Sequence, residues 1–377
     1  MIHMHKGSQA GSLAAILSVV GEYPYSSLRL LGNERYFRTL VHKLTGKNEL
    51  YNSESGERLY CKCFKLSGRG AGKSIRLCKE ALPILKWISP NALPSYMNAS
   101  KNHKFSGDVW HIERNHRVAE VVAMCMRSEI EYRPYVLPEL QNSEILSVIP
   151  KQNVFYSSRC LKNVGQLEQN KTMFTRMAGA IFSNQKCFAV YNTRNSVMRW
   201  NGMGEFKALH SLIEIARMNA DVTSVNSAIL FGQSDKTALE TLKENEAGTR
   251  HEFRFDKIYQ YVHFVPLSDN GIRLLKLICH PTVKEKLIDL LFESDTISNG
   301  RGIFEYDAYV YGKYILSHLD GDVARLIRFK EALLFNKYES EVLCFDFQKD
   351  YVNEFLNGLA KVRTIEMGLI EDEIDIS

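Results

Sequence analysis

Residues 33–46 read NERYFRTLVHKLTG, and the reading of this stretch decides the fold of the first part of the chain. Asn33 suits an N-cap and Gly46 a terminator, and between them Phe37, Leu40, Val41 and Leu44 recur at i, i+3, i+4 and i+7. The spacing predicts a helix over 34–44 with those four side chains turned to a core. At about 100° per residue, Arg35, Arg38, Thr39 and His42 fall on the opposite face, with Lys43 beside them and Glu34 at the edge. A face with two Arg, a Thr and a His suits a DNA major groove. A basic face that is merely solvated is the plainer alternative.

Working outward, 11–21 places Leu13, Ile16, Leu17 and Val20 on one helical face, and 25–31 follows Pro24 as a second short helix closed by Gly32. Downstream, 49–52 and 58–66 are strand-like, joined by the turn-rich 53–57. Three helices followed by a hairpin make a winged helix, expected over residues 1–90 with that hairpin as its wing. Lys62, Lys65, Arg69 and Lys73 then lie on or just after the second wing strand, near a DNA backbone. A further helix is expected over 77–87, interrupted by Pro83. Residues 67–74, SGRGAGKS, nearly match a phosphate-binding loop, but Ser67 stands at the first glycine position. A flexible, basic, glycine-rich loop is the better reading.

The charge distribution favours an anionic partner for this part. Residues 1–107 carry 16 Lys and Arg against 6 Asp and Glu, a balance of +10, whereas the other 270 carry 32 against 37, or −5. The whole chain of 377 residues is +5, with 45% hydrophobic and 24% charged residues, which excludes a wholly disordered or collagen-like protein. No uncharged apolar run reaches the roughly 18 residues of a membrane span, so no membrane partner is expected. The eight cysteines form no CxxC pair and read as reduced core thiols of a cytoplasmic protein.

Residues 91–150 read as a linker, 91–106, followed by a connecting helix over 109–127. Its His111, Glu113 and His116 miss the register of a zinc-binding helix. A cut near residue 107 is expected to release a basic DNA-binding fragment, with 151–377 folding by itself.

A basic winged helix, then a helix containing RNHRVAEV at 114–121, then an α/β region, resembles the replication-relaxation family of winged-helix proteins from plasmids and other mobile elements. The likeness covers roughly the first 135 residues. It implies DNA binding connected with plasmid replication or topology, and a nuclease-like C-terminal portion.

From 151 to 365 the order strand, strand, helix, strand, helix, strand predicts an α/β (mixed) domain, with a hairpin of 188–192 and 196–200 and a helix over 205–219. That order is also the one of the restriction-endonuclease fold, and Glu205-Phe206-Lys207 spells its ExK element. Metal-assisted hydrolysis wants converging carboxylates and a Lys, and only under this reading is Mg²⁺ an expected cofactor. No Asp or Glu occurs between Glu168 and Glu205, however, and a helix opened by Glu205 sets Lys207 about 200° away. The acid-free window 169–204 holds Lys171, Arg176, Lys186, Arg194 and Arg199 beside Tyr191 and Trp200, a second candidate nucleic-acid surface unless the aromatics are core. His263 and His280 read as packed. An acidic tail or peripheral strand is expected over 366–377.

The functional expectation is a protein that binds double-stranded DNA and serves replication of a mobile element, its control or its transfer. The alternatives are a nuclease-like enzyme and a catalytically inactive partner-binding module. A homodimer, or replication and transfer proteins, are the further partners these readings allow.

Overall fold

The computed structural model describes residues 2–5, 7–100, 102–105, 107–132, 153–162, 176–183, 186–198, 200, 203–219, 222, 224–248, 254–297 and 304–374. The chain divides into two compact units, Met1–Arg127 with Tyr132–Pro138, and Ser128–Glu131 with Glu139–Ser377. Its class is mixed α/β. No helix among the described residues is long and apolar enough to cross a membrane.

The first unit runs β1 (Ile2–His3), α1 (Gln9–Val20), β2 (Glu22–Pro24), a 3₁₀ helix (Tyr25–Leu31), α2 (Glu34–Thr45), β3 (Lys47–Tyr51), β4 (Arg58–Lys62), β5 (Phe64–Ser67), β6 (Ser74–Leu77), α3 (Leu85–Ile88), α4 (Ala92–Ala99) and α5 (Val109–Arg127). The Ser8 hydroxyl accepts from Gly11 N at 3.0 Å to start α1, and the Asn33 side chain accepts from Tyr36 N at 3.0 Å to start α2. Phe37, Leu40, Val41 and Leu44 are buried, as the periodicity requires.

The hairpin expected as the wing forms between β3 and β4, but the strand predicted over 58–66 breaks at Cys63. Its second half, β5, pairs instead with β6, and β6 pairs with β2, giving a sheet in the order β2-β6-β5. After α1, β2, the 3₁₀ helix, α2 and the β3–β4 hairpin, the β5–β6 hairpin closes on loop 68–73, which stands where a wing would. The phosphate-loop look-alike is this turn. Gly68 has φ +81°, and a Cβ there would stand 2.6 Å from the Gly72 carbonyl oxygen, so glycine is needed for hairpin geometry.

Two further expectations for this unit are corrected. The helix predicted over 77–87 is a 3₁₀ helix (Lys79–Ile84) containing Pro83, followed by α3, because β6 claims residues up to Leu77. The linker predicted over 91–106 contains α4, whose Ala92 and Tyr96 are buried and which packs on α1. Tyr96 is further tied through its hydroxyl to His103 Nδ1 at 2.7 Å. Helix α5 packs on β2 and α1 and belongs to this unit. A cut at residue 107 would strip Val121, Val122 and Cys125, all fully buried, from its core.

The second unit continues with β7 (Glu131–Tyr132), β8 (Val154–Ser157), α6 (Ser158–Leu161), β9 (Gly179–Ser183), β10 (Lys186–Arg194), α7 (Met203–Asn219), β11 (Ser224–Gly232), α8 (Asp235–Ala247), α9 (Phe255–Ile258), β12 (Tyr261–Pro266), α10 (Asp269–Ile278) and α11 (Val283–Leu291). It ends with β13 (Ala308–Val310), β14 (Lys313–Ser317), α12 (Val323–Phe335), β15 (Ser340–Phe345), α13 (Lys349–Leu356), β16 (Lys361–Ile365) and α14 (Met367–Ile374). The first sheet has the order β12-β11-β10-β9-β8-β7, with β8, β9 and β10 an antiparallel meander and β10, β11 and β12 parallel. The second has the order β13-β14-β15-β16, with its last three strands parallel.

The predicted hairpin of 188–192 and 196–200 is replaced. Strand β10 turns back on β9, while Ser196 N donates to Thr193 O at 3.0 Å and ends the strand in a turn. The acidic tail is likewise a packed helix up to Ile374: Met367, Ile370 and Ile374 are buried on one face of α14, and Glu371 pairs with Arg273.

Candidate nucleic-acid interface

Helix α2 exposes Asn33 at its cap and Arg35, Arg38, Thr39, His42 and Lys43 along its outer face. All but Asn33 border one shallow depression together with Glu34 and Tyr25. Tyr25 is the centre of the arrangement. The Arg38 guanidinium lies 4.9 Å and Lys73 Nζ lies 4.2 Å from its ring centroid, and its hydroxyl meets His42 Nε2 at 3.0 Å. Tyr25 N also donates to the Lys73 carbonyl at 2.9 Å, so the ring joins the end of the wing to the helix face. A tyrosine following Pro24 at a predicted helix start gave no sign of this role.

Within the face, Arg38 gives two bonds to Glu34 Oε1, from Nε at 2.8 Å and Nη2 at 2.5 Å. Hydrogen bonding to the Glu34 carboxylate, then to the Tyr25 side chain, raises the guanidinium's affinity for its proton. Thr39 donates to the Arg35 carbonyl at 3.0 Å, which leaves the oxygen's lone pairs outward. Of the other predicted contacts, Arg69 is exposed in the wing and Lys65 on β5 stacks on Phe105 at 5.7 Å. Lys62 lies on β4, in the other sheet of this unit, and does not border the depression.

A buried polar network ties α5 to the strands beneath the wing. Arg76 on β6 donates to Glu22 Oε2 on β2 from Nε at 3.0 Å and Nη2 at 2.8 Å, and Asn115 Nδ2 donates to Glu22 Oε1 at 2.8 Å. Ser27 donates to Glu120 Oε1 at 2.6 Å, and Ser74, next to Lys73, meets His116 Nε2 at 2.7 Å. Three residues of 114–121 thus hold the wing's base and the 3₁₀ helix from behind. His111 instead is exposed and bonded to Asp108 at 2.8 Å, so the two histidines face different surroundings.

Among the described residues, the second basic window does not gather on one surface. Lys186 and Arg194 stand at opposite ends of β10, about 26 Å apart along the strand. Arg176 is bonded to the buried Glu205 at 2.5 Å, while Lys171 and Arg199 lie outside the described residues. Tyr191 and Trp200 pack together, ring centroids 5.1 Å apart, with Tyr259, whose hydroxyl bonds that of Tyr191 at 2.8 Å. They are core.

Glu205 occupies the first turn of α7, facing Arg176, and Lys207 is exposed. Strands β8, β9 and β10 carry no Asp or Glu among them. Glu168 and Asp221 lie outside the described residues. The carboxylate pair that ExK chemistry needs on a strand face is not built from these positions.

No protein-family model matches this chain, and neither a curated protein nor a solved structure is significantly similar to it.

Proposed function

We propose that this chain is a DNA-binding protein of a mobile genetic element, acting in replication of the element, its control or its transfer. The observation that carries the reading is the gathering of Arg35, Arg38, Thr39, His42 and Lys43 with the wing's Lys73 about Tyr25, in a part of the chain whose balance is +10. Helix face and wing are the two elements with which this architecture meets a groove and the adjacent phosphates. The mobile-element setting rests on the resemblance of 114–121, and neighbouring relaxase or replication genes would support it.

Titration of duplex DNA at several salt concentrations tests the reading. Log K should fall linearly with log salt, by about 0.9 for each phosphate neutralised. Arg35→Ala with Arg38→Ala should weaken binding roughly tenfold or more and flatten that slope by about two. The same change at Lys236 and Lys361, in the second unit, should leave binding unchanged. Absence of binding at low salt, or binding indifferent to salt, sinks the proposal.

Glu34 makes a second, opposite-signed test. It holds Arg38 and places a negative charge among the phosphate contacts, so Glu34→Gln should raise affinity roughly threefold at low salt, with the gain fading as salt is added. Weaker binding by that variant would mean that Glu34 orients Arg38 rather than screening it.

A nuclease acting through the second unit has one feature in its favour, the order β8, β9, β10, α7, β11. Mg²⁺-dependent plasmid cleavage that disappears in Glu205→Gln would establish it. With Glu205 engaged by Arg176, no cleavage depending on this residue is expected.

A further inference from the structure

A pocket of about 260 Å³ opens in the second unit between the first sheet and the segment that leads from β14 into α12. Nothing in the DNA-binding reading uses it. One end is defined by His263 on β12, whose side chain is 9% exposed. Its Nδ1 lies 3.0 Å from the carbonyl oxygen of Asp320. A carbonyl can only accept, so Nδ1 carries a proton, which in the neutral ring leaves Nε2 with a bare lone pair. No described residue meets that lone pair, although Nδ1 has both the carbonyl and the Asp320 carboxylate, the latter at 3.7 Å. This end of the pocket therefore presents acceptors and asks for an N–H or O–H donor.

The middle is a slot. The Phe188 ring lies across His263, centroids 5.9 Å apart and planes at 66°, and the opposite wall is aliphatic, from Ile278, Val283 and Leu287. At the far end stands Lys186, exposed and with no carboxylate within 4 Å among the described residues. It lies on β10, two strands from His263 and four residues along from Val190, the residue in line with His263, hence about 10 Å across the sheet and about 13 Å along it. A donor-bearing head, a flat apolar body and an anionic tail in line match one common chemistry.

We propose that this pocket binds a nucleoside 5′-monophosphate, with a base N–H on His263 Nε2, the base against Phe188 and the phosphate at Lys186. The ligand is either a free nucleotide or the 5′-phosphorylated end of a strand, since both present the same groups. The site belongs to the second unit and the proposed duplex interface to the first, so its failure would leave that proposal untouched.

The test is calorimetric titration of the full chain with the four deoxynucleoside monophosphates, the matching nucleosides, and a 5′-phosphorylated trinucleotide with its unphosphorylated counterpart. Monophosphates should bind about tenfold more tightly than nucleosides, and Lys186→Ala should erase that difference. His263→Phe, which keeps an aromatic ring but removes both nitrogens, should weaken every nucleotide about tenfold. Lys186 is exposed, so its variant keeps the test valid should the His263 variant fail to fold. Saturation by free nucleotides assigns a small-molecule site; saturation by the phosphorylated trinucleotide alone assigns a strand end. No saturable binding of either below about 1 mM, or binding that Lys186→Ala leaves unchanged, overturns the proposal.

Discussion

Arg76→Ala is expected to destabilise the first unit by about 3–5 kcal/mol, more than any change on the exposed face of α2. Glu22 and Arg76 are register partners on adjacent antiparallel strands, with side chains only 2% and 11% exposed. Removing the guanidinium leaves a buried carboxylate with Asn115 as its remaining side-chain partner, and also vacates the face of the Phe105 ring, 4.5 Å away. Taking both charges away together, with Glu22→Gln and Arg76→Met, should recover most of the loss, because the large cost belongs to the orphaned charge. Urea unfolding of the full chain, read by amide hydrogen exchange in α1, reports on this unit. A loss below about 1 kcal/mol for Arg76→Ala would show that water or another donor reaches Glu22.

The second large effect is a pH dependence centred on His318 in the second unit. Its Nε2 is bonded to the Tyr351 hydroxyl at 2.7 Å, and Nδ1 is buried with no partner among the described residues. Burial pushes its pKa from the ordinary 6.5 down to about 4, with Arg325 adding to the fall and Asp320 opposing it. The folded state thus holds the neutral ring while the unfolded chain takes up a proton. Above about pH 6.5 the group is neutral in both states and no stability is lost; from there to pH 4 the unfolded state is favoured progressively, by roughly 3 kcal/mol in all. Asp322, whose pKa burial raises, works in the opposite direction, so the comparison must be internal. Urea midpoints of the parent and of His318→Gln, measured from pH 7 to 4, should converge as pH falls. Parallel curves would mean that His318 is charged, or solvated, in the folded protein.

Much of α2 and α5 was legible because their apolar residues repeat at helical spacing and their buried faces are wide. Elsewhere local pattern competed with pairing. Nothing in 58–66 marks Cys63 as the point where one strand leaves its sheet for another, since that choice depends on β6, which takes the second half as a partner and is itself held by β2. The Pro-, Asn- and Ser-containing 91–106 read as a linker, yet Pro94 falls in the first turn of α4, where its missing N–H has no helical partner to lose. In the tail, Ile and acid alternate like a strand, but Met367, Ile370 and Ile374 follow a helical spacing and α11 gives them a surface to cover. The candidate site divided in the same way. Arg35, Arg38, Thr39 and His42 followed from one helix, whereas Tyr25 and the network behind the wing join residues far apart in sequence.

That separation has a consequence during synthesis. Glu22 and Asn115, like Ser27 and Glu120, are 93 residues apart. At about 5–20 residues per second, the ribosome takes roughly 5–20 s to make the intervening chain. For that interval β2 and the 3₁₀ helix are outside or entering the exit tunnel with their carboxylate and hydroxyl still hydrated, awaiting a helix not yet translated. The basic face of α2 is thus made first and locked last, and a nascent chain halted before residue 115 has that face without the scaffold that fixes it.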